Sequence, residues 1–222
     1  PRDRAHAPAG RFGLLQASAG GEHSCQRSNT GRVECWDTRS AMALRVPEPR
    51  LTEISAGLRH SCGLRPGGLV ACWGDNSDQQ ASPPGGAFVQ VASGYLHSCG
   101  LRPDRRVACW GRSGSWTGTP RDSAFREISA GGTHTCGLSP DGRVICWGIN
   151  SDGQIAAPRT LFTQLSASGM HTCGLHPDGQ AECWGFNSDG QASPPPGVCA
   201  AGRGLPPQLR ASPRSPCPML GQ

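Results

Sequence analysis

The sequence predicts an all-β fold: a β-propeller, or an open propeller arc, of five three-stranded blades, each with an intra-blade disulfide. Three observations predict it: a strict repeat of 37 residues without insertion or deletion, short strand signals in every copy, and two cysteines at fixed positions in every copy. Three strands in each copy are typical of a propeller blade or a β-solenoid rung. The repeated residues are His23, His60, His97, His134 and His171, together with Trp36, Trp73, Trp110, Trp147 and Trp184.

The repeat divides the chain into an arm, five units and a tail. The units are residues 14–50, 51–87, 88–124, 125–161 and 162–198. An N-terminal arm, residues 1–13, precedes them. A Pro- and Arg-rich tail, residues 199–222, follows them and is predicted to be disordered. Cys199 and Cys217 of the tail have no partner in the repeat scheme.

The fourth unit shows how one blade is expected to form. Phe125–Ala130, with alternating apolar and polar residues, His134–Leu138 and Arg143–Trp147 carry the three strand signals. The turn 139–142, with the sequence Ser-Pro-Asp-Gly, separates the second strand from the third, and no segment has a long helical period. A Pro-rich loop such as Ala81–Gly86 then returns the chain to the next blade.

The hairpin turn decides which cysteines face each other. Pro-Asp-Gly suits a type I turn followed by a glycine with positive φ, so Ser139 pairs with Arg143. Counting back from this pair places Cys136 opposite Cys146 at a non-hydrogen-bonded position, where side chains approach most closely. In the third unit Arg105 replaces the turn glycine and is expected to be strained.

The same count predicts one disulfide in each unit. The pairs are Cys25–Cys35, Cys62–Cys72, Cys99–Cys109, Cys136–Cys146 and Cys173–Cys183. Each closes a loop of about eleven residues and contributes about 3 kcal/mol in the chain-entropy model. Ten paired cysteines indicate an oxidising compartment, so a secreted or cell-surface location is expected.

Charge and hydropathy argue against two classes of protein. The formal net charge is +5, but the arm holds three arginines and one aspartate and the tail holds three arginines and no acid. The repeats between them therefore sum to zero, which argues against binding to nucleic acid. No run of apolar residues is long enough to span a membrane.

The repeated histidines and acidic loops are expected to be structural. An active site occurs once, whereas this histidine recurs in every unit, so we expect it to bond backbone at the start of the second strand. A zinc site is the alternative, but the nine residues between Cys136 and Cys146 are many for a zinc knuckle. The loop 75–78, Asp-Asn-Ser-Asp, resembles a calcium loop but lacks the later Glu, so Asx-turn capping is expected.

No nucleophile, base and acid in a known order and no phosphate-binding glycine loop occur in the sequence. All conspicuous acidic and histidine side chains belong to the repeat. The sequence therefore predicts no enzyme, no catalytic residue, no metal and no cofactor.

The fourth unit also resembles a known repeat. Its run of His-Thr-Cys-Gly-Leu, Pro-Asp-Gly, Cys-Trp-Gly and Asn-Ser-Asp-Gly-Gln resembles the repeat of the regulator of chromosome condensation superfamily. The paired cysteines are most similar to its secreted branches, which include a propeller-type β-lactamase inhibitor and the ectodomains of plant crinkly-type receptor kinases. The resemblance covers residues 14–198 and implies a propeller, usually of seven blades; it implies no single activity, because the fold hosts inhibitors, receptors and exchange factors.

A comparison of the five copies predicts a binding surface. Strand directions place the loop after the first strand and the exit of the third strand on one rim, and residues that differ between copies lie there. Aromatic, Arg and Met side chains on a rim are common in interfaces, although some of them could instead pack on the neighbouring blade. The predicted partner-binding residues are Leu58, Arg59, Tyr95, Leu96, Arg112, Trp116, Met170 and Phe186.

The third unit is favoured as the binding site because it departs most from the repeat. Its loop 112–116, Arg-Ser-Gly-Ser-Trp, replaces the Asn-Ser-Asp-Gly-Gln type of loop, which the first unit also lacks. The sequence thus predicts an extracellular protein-binding module: an inhibitor, a receptor ectodomain or an adhesin-like protein. The alternatives are a guanine-nucleotide exchange factor for a small GTPase and a structural surface repeat protein.

Overall fold

The computed structural model describes residues 14–37, 46–47, 50–114 and 118–195, and the regular structure in these ranges is entirely β. The predicted arm and tail, with Cys199 and Cys217, lie outside the described residues, and so does Trp116. The fifteen strands of the described part are β1 (Leu14–Ala19), β2 (His23–Ser28), β3 (Val33–Asp37), β4 (Glu53–Ala56), β5 (His60–Leu64), β6 (Val70–Gly74), β7 (Gln90–Ser93), β8 (His97–Leu101), β9 (Val107–Gly111), β10 (Glu127–Ala130), β11 (His134–Leu138), β12 (Val144–Gly148), β13 (Gln164–Ser168), β14 (His171–Leu175) and β15 (Ala181–Gly185).

Consecutive strands form five antiparallel three-stranded sheets, which are the predicted blades. The first strand of each blade is the inner one: β1, β4, β7, β10 and β13 contact one another in chain order. These inner strands and the loops that follow them line a central cavity of about 360 Å³. The predicted fold class is therefore confirmed, with each blade contacting the next.

The hairpins have the predicted register. The amide of Ser139 donates to the carbonyl of Arg143 at 2.8 Å, and Cys136 lies opposite Cys146. Gly142 adopts the expected positive φ of 87°, and Arg105 adopts the same conformation with a φ of 67°, which confirms the strain predicted for a residue with a Cβ. All five predicted disulfides are present.

The hydrophobic core lies between the blades. Each cluster joins the disulfide of one blade to a large apolar side chain and the tryptophan of the next blade. An aliphatic residue of the inner strand of that next blade completes each cluster. Phe125 is fully buried in this way, but it precedes β10, and the next buried residue of this strand is Ile128. The alternation expected over Phe125–Ala130 was therefore wrong, because the segment first packs on the neighbouring blade and only then enters the sheet.

We name the two ends of the described blades by their loops. The upper rim consists of the loops between the first and second strands and of the residues that leave the third strand. The lower rim consists of the hairpin turns between the second and third strands. Among the described residues, no helix is long and apolar enough to cross a membrane.

Candidate binding surface

The upper rim pairs predicted residues with each other in the third and fifth blades, and it pairs Arg59 with Asp75 in the second. In the third blade the amide of Arg112 donates to the carbonyl of Leu96 at 2.8 Å. Gly111 permits this contact, because its φ is +108° and a Cβ there would lie 2.6 Å from the Leu96 oxygen. The same bond, at 2.9 Å in both cases, joins Asp75 to Arg59 and Phe186 to Met170.

Tyr95 extends across the upper rim from the third blade toward the fifth. Its amide donates to the carbonyl of Gly132 in the fourth blade at 3.1 Å. A Cβ on Gly132 would lie 2.6 Å from the ring, and a Cβ on Gly169 would lie 3.5 Å from the hydroxyl. The half-buried ring therefore packs on the fourth blade and also covers part of the mouth of the central cavity.

The predicted residues of the second blade contact the first blade. Leu58 lies against Gly21, and Arg59 Nε donates to Glu22 Oε2 at 2.9 Å. Packing on a neighbouring blade, the alternative that the sequence left open, thus describes Leu58 and the ring of Tyr95. Arg112 is exposed on the rim.

Backbone hydrogen bonds between blades hold the mouth of the cavity together. Each bond joins the loop after one inner strand to the equivalent loop of the next blade. Together the bonds fix the backbone that carries the rim side chains. The bonds run from Gly21 to Gly57, from Leu58 to Gly94, from Tyr95 to Gly132 and from Gly132 to Gly169, with lengths between 2.6 and 3.2 Å.

The repeated histidines join neighbouring blades. His60 Nε2 shares a hydrogen bond of 2.8 Å with Ser98 Oγ, and His97 Nε2 shares one of 2.8 Å with Thr135 Oγ1. Both rings are fully buried. The structural role is confirmed, but the expected backbone partner was wrong. The partner is the hydroxyl that follows the histidine of the next blade, and one repeat read alone does not reveal contacts between repeats.

The histidine environment disfavours charge. Burial, together with a smaller effect of the neighbouring histidines, lowers the pKa of His60, His97 and His134 to about 4. The rings are therefore neutral at physiological pH, as a buried hydrogen bond to a hydroxyl requires.

Side chains on two inner strands form hydrogen bonds with the backbone of the next inner strand, and we call these contacts clips. Gln90 Nε2 donates to the carbonyl of Ile128 at 3.1 Å, and its Oε1 accepts from the amide of Ile128 at 2.8 Å. Glu53 holds the equivalent position in the second blade and accepts from the amide of Val91 at 3.5 Å. Burial raises the pKa of Glu53 to about 7, while the Val91 amide and the charge of Arg27 act in the opposite direction.

Side chains of the Asn-Ser-Asp loops form hydrogen bonds with backbone amides of the same loop. In the second blade Asp75 Oδ1 accepts from the amide of Ser77 at 3.1 Å, which is the predicted Asx turn. Asn76 Oδ1 accepts from the amide of Ala81 at 2.9 Å. Within the described ranges, no three His, Cys, Asp or Glu side chains lie close enough together to hold a metal ion.

In the second and fourth blades the end of this loop reaches the next blade, and we call this contact the hook. The carbonyl of Gln80 accepts from Trp110 Nε1 at 2.9 Å and from Ser98 Oγ at 3.0 Å. The carbonyl of Gln154 accepts from Trp184 Nε1 at 3.1 Å. Both glutamines are fully buried, so the hook gives a buried tryptophan N–H its acceptor.

The tryptophan of the fourth blade differs from Trp110 and Trp184. Trp147 is 6% exposed, and its Nε1 has no hydrogen-bond partner among the residues that the structure describes. Thr117 stands in the sequence where Gln80 and Gln154 stand in their units. Sequence reasoning did not predict this difference, because the surroundings of each tryptophan depend on how one blade packs on the next.

These features define a class: a disulfide-bonded β-propeller array whose blades are joined by repeated buried hydrogen bonds. The model of the regulator of chromosome condensation (RCC1) repeat matches residues 51–80, 88–115, 125–154 and 162–191. The chain belongs to this repeat family. No curated protein sequence matches the chain.

Solved structures with similar folds include two plant receptor ectodomains. The ectodomain of the Physcomitrella patens receptor kinase CR4 is 33% identical with a TM-score of 0.72, over 82% of this chain and 54% of that one. The ectodomain of the Arabidopsis thaliana receptor kinase ACR4 is 28% identical with a TM-score of 0.68, over 80% of this chain and 67% of that one. The chain thus spans about half the length of the CR4 ectodomain.

A more distant structure shows the same fold. Prp20p from Saccharomyces cerevisiae is 19% identical with a TM-score of 0.68, over 78% of this chain and 58% of that one. Its description names binding to Gsp1p and histones. At this identity the likeness concerns the fold alone.

Proposed function

We propose that the chain is a non-catalytic, extracellular module that binds another protein through the upper rim of its third blade. One observation carries the proposal: Tyr95, Leu96 and Arg112, which differ from their counterparts in the other blades, lie together on the rim. The Arg112–Leu96 backbone bond and the packing of Tyr95 on Gly132 hold them in place. A half-buried aromatic side chain beside an exposed arginine is a combination common in binding hot spots.

Two further observations support the extracellular part of the proposal. Five disulfides persist in oxidising compartments and are rare in the cytosol. The CR4 and ACR4 structures are ectodomains of receptor kinases, and both exceed 25% identity with this chain. The proposed partner is a protein and not a nucleic acid, because the repeats carry no net charge.

A pair of arginine variants tests the rim. Arg112 is exposed on the upper rim and Arg106 is exposed on the lower rim of the same blade, so the two substitutions remove the same charge from opposite ends. A partner is first captured on the folded wild-type protein and identified, and its affinity is then measured for Arg112→Ala, Tyr95→Ala and Arg106→Ala.

We expect Tyr95→Ala to weaken binding by about 2 kcal/mol or more, as for a hot-spot residue, and Arg112→Ala to weaken it measurably. Arg106→Ala should bind like the wild type. Equal affinity of all three variants, or loss in Arg106→Ala alone, would refute binding through the upper rim. Melting curves of each variant separate lost contacts from lost packing, because Tyr95 also packs on the fourth blade.

A further inference from the structure

We propose that the hairpin turn of the third blade, residues 102–106, binds an anionic polysaccharide. The guanidinium groups at this turn hold the sulfate or carboxylate groups of the sugar chain. The turn belongs to the lower rim, whereas Tyr95 and Arg112 lie on the upper rim of the same blade. The site is therefore separate from the protein-binding surface proposed above, and it adds a second ligand to the third blade.

Main-chain hydrogen bonds gather four arginines at this turn. The amide of Arg102 donates to the carbonyl of Arg106 at 2.8 Å, and the amide of Arg105 donates to the carbonyl of Arg102 at 2.9 Å. The carbonyl of Arg105 accepts from the amide of Phe125 at 2.9 Å, which places Arg126 next to the turn. Arg105, Arg106 and Arg126 are exposed, and Arg102 is half-buried. The turn thus presents concentrated positive charge to solvent.

Two of the four guanidinium groups are fixed by contacts with the protein. Arg102 Cζ lies 4.7 Å from the centroid of the Phe88 ring, and Arg126 Nη2 donates to the carbonyl of Thr163 at 3.0 Å. Neither contact neutralises the arginine, because an aromatic ring and a carbonyl carry no net charge. The two fixed arginines therefore flank the turn with positive charge that loses little further entropy when a ligand binds.

The charge of this turn is not neutralised within the described part of the chain. The equivalent turns of the first and fourth blades each carry one arginine, and an acid of the same hairpin pairs with it; the pairs are Arg32–Glu34 at 3.5 Å and Arg143–Asp141 at 3.7 Å. In the third turn Asp104 Oδ1 accepts from the amide of Arg106 at 3.0 Å. Among the described residues, neither Arg105 nor Arg106 forms an ion pair with a carboxylate.

The arginine at position 105 is retained in spite of backbone strain. The φ of Arg105 is 67°, in the left-handed region that disfavours a residue with a Cβ. The other four units have glycine at this position; these residues are Gly31, Gly68, Gly142 and Gly179. A strained, charged residue that forms no ion pair in the described structure indicates a contact with a ligand.

The chemistry of the turn favours a sugar chain over other polyanions. Its charged donors are the guanidinium forks, and these match the paired oxygens of sulfate and carboxylate. A polysaccharide carries such groups on rigid rings, whereas an acidic peptide loses side-chain entropy for every contact. The disulfide of the same blade, Cys99–Cys109, favours an oxidising compartment, which argues against a nucleic acid.

A fluorescently labelled heparin oligosaccharide, which carries sulfate and carboxylate groups, is the probe. Its binding is followed by anisotropy at several salt concentrations. The arm and the tail also hold arginines, so variants of the full chain that share both are compared. Arg106→Gln and Arg143→Gln form a matched pair, because the two arginines hold the same position in their turns and only Arg143 is ion-paired. Arg105→Gly restores the residue of the other units and relieves the strain.

We expect Arg105→Gly and Arg106→Gln each to weaken heparin binding about three-fold or more, and to reduce the slope of log affinity against log salt concentration by about one. Arg143→Gln should keep the affinity and the slope of the wild type. Because Arg105→Gly relieves strain, its loss of affinity does not result from unfolding. Equal affinity of the wild type, Arg105→Gly and Arg106→Gln overturns the proposal.

Further probes identify the ligand. An oligogalacturonate has carboxylates but no sulfate: if it shows the same losses, carboxylate is sufficient, and if it does not bind, sulfate is the group recognised. Polyglutamate or a DNA duplex that binds as tightly as heparin, with the same losses in the variants, overturns the assignment to a polysaccharide. A captured protein partner should bind Arg105→Gly like the wild type, so failure of this site and failure of the upper rim are distinguishable.

Discussion

The junction between the second and third blades is built from the same kinds of contact as the junction between the third and fourth. A different contact is the weak point in each junction. The earlier junction has a complete hook, with Gln80 bound to Trp110, and its inner-strand clip is the carboxyl of Glu53. The later junction has the amide clip of Gln90 but leaves Trp147 without an acceptor among the described residues. The two junctions share the histidine–hydroxyl bond and the interblade core.

The two weak points lie in different parts of the blade. Glu53 lies on an inner strand, at a position that glutamine fills in the third blade. Trp147 lies on β12, the outer strand of the fourth blade.

Lowering the pH tests the histidine–hydroxyl bonds that the two junctions share. It should have the largest effect on the free energy of unfolding. The folded-state pKa values of His60, His97 and His134 are lowered to about 4, so the unfolded chain binds more protons between about pH 6.5 and pH 4. The contribution of each histidine to stability is therefore full above about pH 6.5 and falls as the pH drops to about 4, by roughly 3 kcal/mol for each ring. Urea unfolding at several pH values, with disulfides intact, measures this; an unchanged midpoint between pH 7 and pH 4 would contradict it.

Exchanging the clips tests the weak point of the earlier junction. The pKa of Glu53 is raised to about 7 from 4.5, so the folded state binds the extra proton between these values and stability falls as the pH rises through the window. Glu53→Gln removes this loss and should stabilise the protein by roughly 2 kcal/mol at pH 8, and much less below pH 4.5. The reverse change, Gln90→Glu, should destabilise at pH 8. A pH-independent effect of Glu53→Gln would rule out titration as its cause.

Replacing each tryptophan by phenylalanine tests the hook. Trp110→Phe removes a hydrogen bond to the buried Gln80 carbonyl, whereas Trp147→Phe removes a donor that is already unpaired. Both variants lose similar packing, so Trp110→Phe should cost about 1–2 kcal/mol more in the free energy of unfolding. Equal losses would show that the two indoles are equally satisfied.

The smallest expected difference in stability between the two junctions comes from the hairpin turns of the lower rim. The amide of Phe88 donates to the carbonyl of Gly68 in the earlier junction, and the amide of Phe125 donates to that of Arg105 in the later one. Both acceptor residues have positive φ, which costs a residue with a Cβ about 1 kcal/mol. Arg105→Gly should therefore raise the free energy of unfolding by up to about 1 kcal/mol, measured against Arg106→Gly, which should not.

Much of the fold could be predicted because the information repeats within each unit. The period gives the number of blades, and the Pro-Asp-Gly turn gives the register that pairs Cys136 with Cys146. The strain of Arg105 could be predicted from the same turn, because the type of turn decides which residue needs a positive φ.

The contacts between units could not be predicted from the repeat pattern. The partner of His97, the acceptor of Trp110 and the clip of Gln90 all lie in neighbouring blades, and their geometry depends on how one sheet packs on the next. The rim was predicted from variation between copies. The packing of the Tyr95 ring on the fourth blade was not predicted, because it depends on the close approach of the ring to Gly132.

The most direct test is the indole N–H resonance of Trp147 in the free protein, assigned through Trp147→Phe and compared with those of Trp110 and Trp184. A hydrogen-bonded indole N–H resonates downfield of an unbonded one. We predict that Trp147 resonates upfield of both others. If Trp147 instead resonates with Trp110 and Trp184, its N–H has an acceptor, the two junctions are equivalent, and the account is contradicted.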